Sequence, residues 1–132
     1  CYSLFPGNDG QQADAEQAYI QSDWTGTVTW VELPSEAWPE SWWIIDEAGN
    51  KIPKYERPVV LMQKALYGHP DSGTVWERHW EKMLKEVGFE AVNYWPSCIW
   101  HERLKMLLTV YVDDLKMSGP SGGPMKEAWD LI

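Results

Sequence analysis

Between residues 72 and 87 the apolar side chains of Val75, Trp76, Trp80, Met83, Leu84 and Val87 recur at helical spacing. Glu77, Arg78, Glu81, Lys82, Lys85 and Glu86 cover the other side, so the pattern predicts an amphipathic helix over 72–87. Thr74 with Glu77 fits a capping box, Asp71 or Ser72 could also cap, and Gly88 supplies the stop. Elsewhere the pattern is that of strands. Residues 27–33 are β-branched and aromatic and predict a strand ending at Pro34, while 59–62 reads as a buried strand. Residues 98–101 and 106–111 predict two strands around a tight turn, and 115–117 a third, short one.

Polar punctuation separates these segments. Pro6 to Gly10 is a turn signal, and 23–26 is a second. Residues 35–57 read as loop, with a short hairpin around the turn 46–50. Residues 119–124 form a loop ahead of a helix beginning at Met125. This order predicts an α+β fold, an antiparallel sheet with helices packed on one face.

A chain of 132 residues sets a single domain, 1–132, as the default. It opens on Cys1 rather than Met and stops at Ile132 inside an incipient helix, so it reads as a fragment truncated at both ends. The formal net charge of −9 argues against a chain that grips nucleic acid by itself, because phosphate contacts need a basic face. Cys1 and Cys98 form no metal-ligand pattern and no disulfide framework, which points to a reducing compartment. No apolar run is long enough to span a membrane, and no signal peptide is visible.

The candidate chemistry lies at the end of the run 106–111, apolar apart from Thr109, where Asp113 and Asp114 follow. Two carboxylates at the tip of a buried hairpin call for solvent, basic partners or a cation. Magnesium suits them, since it takes a few carboxylates plus water and phosphate oxygens. A polar turn between strands is the plainer reading of Asp113-Asp114 taken alone.

Two further blocks change that balance. Asp14-Ala15-Glu16-Gln17-Ala18-Tyr19 comes first, Lys64-Ala65-Leu66-Tyr67-Gly68 with Trp76 follows, and Tyr111-Val112-Asp113-Asp114 closes the set. The ordered set resembles the reverse transcriptase of Ty1/copia-type retrotransposons over roughly Asp14 to Met117, with 28–34 similar to the family's short strand ending in Pro. The resemblance implies a polymerase palm with part of the fingers, acting as an RNA-directed DNA polymerase within a Pol polyprotein. It implies Asp14, Asp113 and Asp114 as catalytic and metal-holding residues, with the Ala15 carbonyl as a further ligand of two Mg²⁺ ions, or Mn²⁺. Gln17 and Ala18 then match backbone amides that meet the triphosphate. Tyr19 matches the aromatic that excludes a ribose 2′-hydroxyl, and Tyr67 and Gly68 match the block packed on the incoming nucleotide. The implied partners are an RNA or DNA template-primer and deoxynucleoside triphosphates. The remaining fingers, thumb, ribonuclease H and integrase segments would complete the polyprotein, in a cytoplasmic retrotransposon particle.

The sequence departs from the family at Glu16, where a Lys is usual, and at Gly73-Thr74-Val75, which lack a basic residue before Trp76. His69-Pro70 replaces Leu-Lys, and Gly10-Gln11-Gln12-Ala13 is polar where an apolar strand is usual. A decayed or domesticated palm without catalysis is therefore the first alternative. An aromatic-rich binding module is the second, because ten Trp include the loop cluster Trp38, Trp42 and Trp43. For that cluster, and for Trp76 and Trp80, packing is the preferred reading. His69, His79 and His101 read as structural, and Lys64 and Lys116 as solvated charges.

Overall fold

In the computed structural model, which describes residues 1–132, the run 106–111 becomes the middle strand of a five-stranded antiparallel sheet. In chain order the sheet contains β1 (Asn8–Asp14), β6 (Phe89–Ala91), β7 (Cys98–His101), β8 (Met106–Tyr111) and β9 (Asp114–Pro120). The spatial order is β1-β9-β8-β7-β6. Alternation along β8 buries Met106, Leu108 and Val110 and leaves Leu107, Thr109 and Tyr111 toward the other face.

The buried face is covered by two helices, α2 (Ser72–Glu86) and α3 (Gly123–Asp130). Trp76, Trp80 and Leu84 of α2 and Met125 and Ala128 of α3 join Ile99, Met106, Leu108, Val110 and Met117 of the sheet in one core. The one-turn helix α1 (Ala18–Gln21) adds fully buried Ala18. The α+β class is thus as the pattern predicts, with the helices sharing one sheet face. No helix is long and apolar enough to cross a membrane.

The chain forms two compact units, Cys1–Asp23 with Lys64–Ile132, and Trp24–Gln63. The sheet and the three helices belong to the first. The second holds β2 (Trp30–Glu32) paired with β5 (Val59–Leu61), and a hairpin of β3 (Trp43–Ile45) and β4 (Lys51–Pro53). The hairpin turn forms as expected around Asp46, whose Oδ1 accepts the N–H groups of Ala48 at 2.9 Å and Asn50 at 2.7 Å. Trp38 packs on Trp43 at 5.3 Å and on Trp42 at 6.0 Å, a small satellite cluster.

Several expectations are corrected. Asn8, Asp9 and Gly10 lie in β1 rather than in a turn, paired with Pro120, Gly119 and Ser118. An edge strand held by main-chain bonds to one neighbour needs no apolar face, so the polar run still extends. Gly10 is required there, because a Cβ would lie 2.9 Å from Ser3 Cβ. With β1 as template, β9 runs on to Pro120, well past the short strand 115–117. Of the expected buried strand 59–62 only Met62 is buried: Val59 is 50% and Leu61 40% exposed, since a two-stranded ladder offers nothing to cover both faces. Met83 leaves the stripe at 42% exposure. Asp71 is the N-cap residue of α2 but makes no side-chain cap; Ser72 Oγ instead accepts the Leu66 N–H at 3.1 Å.

Candidate metal and nucleotide site

The β1–β9 ladder sets the geometry of the site. Its register places Asp14 directly opposite Asp114, and Asp114 is in turn opposite Tyr111 across β8. One row of three neighbouring strands therefore reads Asp14, Asp114, Tyr111, on the sheet face away from α2 and α3. All three residues are exposed, Tyr111 at 76%. Directly opposed residues have Cβ atoms about 4.5–5.5 Å apart, within reach of one shared ion.

Asp113 enters through the turn. Tyr111 and Asp114 form the last pair of the β8–β9 hairpin, so Val112 and Asp113 make its tip. The Asp113 carbonyl accepts the Ala15 N–H at 2.7 Å, which ties the tip to the residue after Asp14. Val112 adopts a left-handed backbone with φ 57°, and its carbonyl accepts the Trp76 indole N–H at 2.5 Å. Left-handed φ is costly for a β-branched residue. Sequence reasoning placed Trp76 in the core and missed this contact; an indole needing a partner inside a helical stripe was the available signal.

The tyrosines come from the other two blocks. Tyr19 and Tyr67 pack in a tilted pair, with ring centroids 4.3 Å apart and planes at 46°. A Cβ on Gly73, at the start of α2, would sit 3.9 Å from the Tyr19 hydroxyl. The Tyr67 phenol is held above the usual tyrosine range. Local desolvation of the hydroxyl is the main cause, although the residue is 56% exposed, and the negative fields of Asp113, Tyr19 and Asp14 add to it. Tyr67 thus feels both the β1 aspartate and the tip aspartate.

The other predicted positions are less convergent. Gln17 is left-handed (φ 52°, ψ 40°) and heads α1, while the side chain of Ala18 is spent on the core. Gly68 follows Tyr67 with φ 91° and open space where a Cβ would be. Glu16 is exposed, and its carbonyl accepts the Gln21 amide at 2.7 Å. His101 is structural: it is buried, its Nδ1 accepts the Leu104 N–H, and it meets Phe89 edge-on at 4.9 Å.

No basic side chain neutralises the aspartates. The ion pairs join Lys51 to Glu40, Arg57 to Glu32, Lys64 to Asp23, Arg103 to Glu127 and Lys105 to Glu102. Lys64 is therefore committed to Asp23, at 2.6 Å. Donor type and backbone placement fit a hard divalent cation, which favours carboxylate oxygens. Side-chain placement lags behind: no group of three or more His, Cys, Asp or Glu stands where it could hold a metal ion together. Rotation about χ1 and χ2 of exposed Asp side chains is the adjustment that loading would require. No family model matches the chain, and no solved structure matches it.

Proposed function

We propose that this chain is the palm portion of an RNA-directed DNA polymerase of the Ty1/copia retrotransposon type, a nucleotidyltransferase that extends a primer on an RNA or DNA template. One observation carries the reading: Asp14 is the cross-strand partner of Asp114, with Asp113 bonded through its carbonyl to Ala15. Motifs shared by chance give no reason for these residues to meet at one end of one sheet. The tilted contact of Tyr19 with Tyr67 beside them adds the middle block to the same neighbourhood.

Two Mg²⁺ ions, or Mn²⁺, are the proposed cofactor, and when bound they supply Lewis acidity at the primer hydroxyl and the leaving pyrophosphate. The chain's own residues do the positioning. Asp14, Asp113 and Asp114 hold the ions, with the Ala15 carbonyl as a further oxygen donor. The exposure of Asp14 and Asp114 on the sheet face away from the helices leaves room for a template-primer. Tyr19, braced by Tyr67, offers a fixed ring beside the sugar, where a 2′-hydroxyl meets steric conflict. The backbone of Gln17 and Ala18 offers amides to the triphosphate. Gly68, without a Cβ, lets the base or sugar approach the chain closely. Positive charge for the nucleic acid comes from other segments of the polyprotein, since this chain carries −9.

Mn²⁺ titration of this chain, read by the electron paramagnetic resonance of the free ion, checks the reading. Binding is expected, and Asp113→Asn or Asp14→Asn is expected to abolish it with the circular dichroism unchanged. Binding that survives both substitutions rejects the metal assignment. In a polymerase containing the partner segments, either substitution abolishes primer extension.

A palm remnant without catalysis is the second reading. Exposed Glu16 beside the site and the net charge of −9 favour it. A folded wild-type chain that binds no Mn²⁺ selects this reading over the first.

A further inference from the structure

The Trp76 indole reaches out of the core to a main-chain carbonyl in the most strained part of the site. Val112 is a β-branched residue at φ 57°, where steric repulsion favours almost any other conformation. Such a conformation persists only where its surroundings over-determine it. Two consecutive carbonyls of the hairpin tip are held from outside the hairpin. Val112 O accepts the Trp76 indole N–H at 2.5 Å, and Asp113 O accepts the Ala15 N–H at 2.7 Å. Trp76 is only 5% exposed, in the second turn of α2, with His79 stacked on it at 5.8 Å. The donor therefore cannot swing away without opening the core, so the bond fixes the tip rather than following it.

We propose that Trp76 is a positioning residue whose indole N–H latches the strained Val112 turn and so holds Asp113 at the tip, against Ala15, and Asp114 opposite Asp14. Without the latch, Val112 relaxes toward negative φ. The peptide planes on either side turn with it, and the Asp113 carbonyl is drawn off the Ala15 amide. The competing account is that the indole merely satisfies its own donor at the nearest carbonyl, with no consequence for the tip. The latch does not depend on the proposed function; only its effect on metal affinity rests on that reading.

The experiment uses this chain with Trp76→Phe, Val112→Gly and the double variant. Phe keeps an aromatic ring in the core and removes the N–H; Gly accepts positive φ without strain. Hydrogen exchange at the Ala15 amide reports the tip, and the Leu108 amide, in the middle of the sheet, reports global opening. Trp76→Phe is expected to speed Ala15 exchange about five- to tenfold, the effect of one net hydrogen bond, and to leave Leu108 unchanged. Mn²⁺ affinity is expected to fall about tenfold, the low end for losing an outer-shell orienting partner. In the Val112→Gly background, where no strain needs holding, both effects should shrink to less than about twofold. Unchanged Ala15 exchange, or equal acceleration at Leu108, overturns the latch. Faster Ala15 exchange with unaltered Mn²⁺ affinity overturns the positioning role. A wild-type chain that binds no Mn²⁺ while Trp76→Phe still loosens Ala15 selectively upholds the latch and removes the polymerase reading. Should Trp76→Phe fail to fold, Val112→Gly alone decides: a held strain predicts a raised Tm, and an unraised Tm overturns the proposal.

Discussion

Replacing Asp114 by Asn should stabilise the protein without metal and remove the stabilisation that metal confers. The two signs come from the same contact. Asp114 faces Asp14 directly across β1 and β9, and no Lys or Arg pairs with either. Like charges directly opposite on a ladder are destabilising. Both residues are exposed, so water screens the repulsion and the gain is at the small end, about 1–3 °C in Tm at low salt. Metal bound at the proposed site would reverse the balance. At a free Mn²⁺ concentration ten times Kd, linkage stabilises the native state by about 1.4 kcal/mol. For 132 residues that is roughly 6 °C, taking about 4 °C per kcal/mol. Differential scanning calorimetry with and without Mn²⁺ reads both effects. The expected pattern is Asn above Asp in chelator and Asp above Asn in saturating metal. An Asn variant that melts lower in chelator refutes the repulsion argument. Equal Mn²⁺ shifts in both proteins refute Asp114 as part of the ion site.

Neighbouring positions on β8 should differ sharply in urea denaturation. Leu108→Ala, at a fully buried position, is expected to cost about 3 kcal/mol, and Thr109→Ala, on the other face, under about 1 kcal/mol. Gly88→Ala should cost about 1–2 kcal/mol, because φ is 93° at this helix end and the added Cβ would lie 3.1 Å from His101 Nε2; an unchanged midpoint denies that the turn needs Gly. Asp46 is held below the ordinary 3.8, mainly by the Asn50 backbone N–H, then by the Asn50 side chain. A lowered folded value means that this carboxylate supports its turn fully above 3.8 and loses that support as pH falls through the depressed value. The Asn50 amide resonance should therefore titrate below 3.8, and a midpoint at or above it denies the bond.

Much of the first unit was legible in the sequence because its signals are local. The stripe from Val75 to Val87 specifies a helix whatever it packs against, and Gly88 ends it because few other residues accept positive φ. The run 106–111 followed by two aspartates specifies a hairpin, since an apolar strand must turn where the charges begin. The order of the three motif blocks was equally plain. Local pattern misjudged whatever depends on a distant partner. Polar 8–14 forms a strand only because β9 supplies main-chain bonds, and Val59 and Leu61 stay exposed because no second layer covers their ladder.

The candidate site divides in the same way. Its residue types were readable, but their meeting was not. Asp14 reaches Asp114 through a cross-strand register, and a shift of one residue would turn its side chain to the opposite face. The Val112 turn and the Trp76 contact likewise exist only once α2 lies on the sheet. Periodicity and turn chemistry act over a few neighbouring residues, so one chain segment is enough to express them. Register, burial and strain are set by contacts between segments far apart in the chain, and those energies appear only when the whole unit has closed.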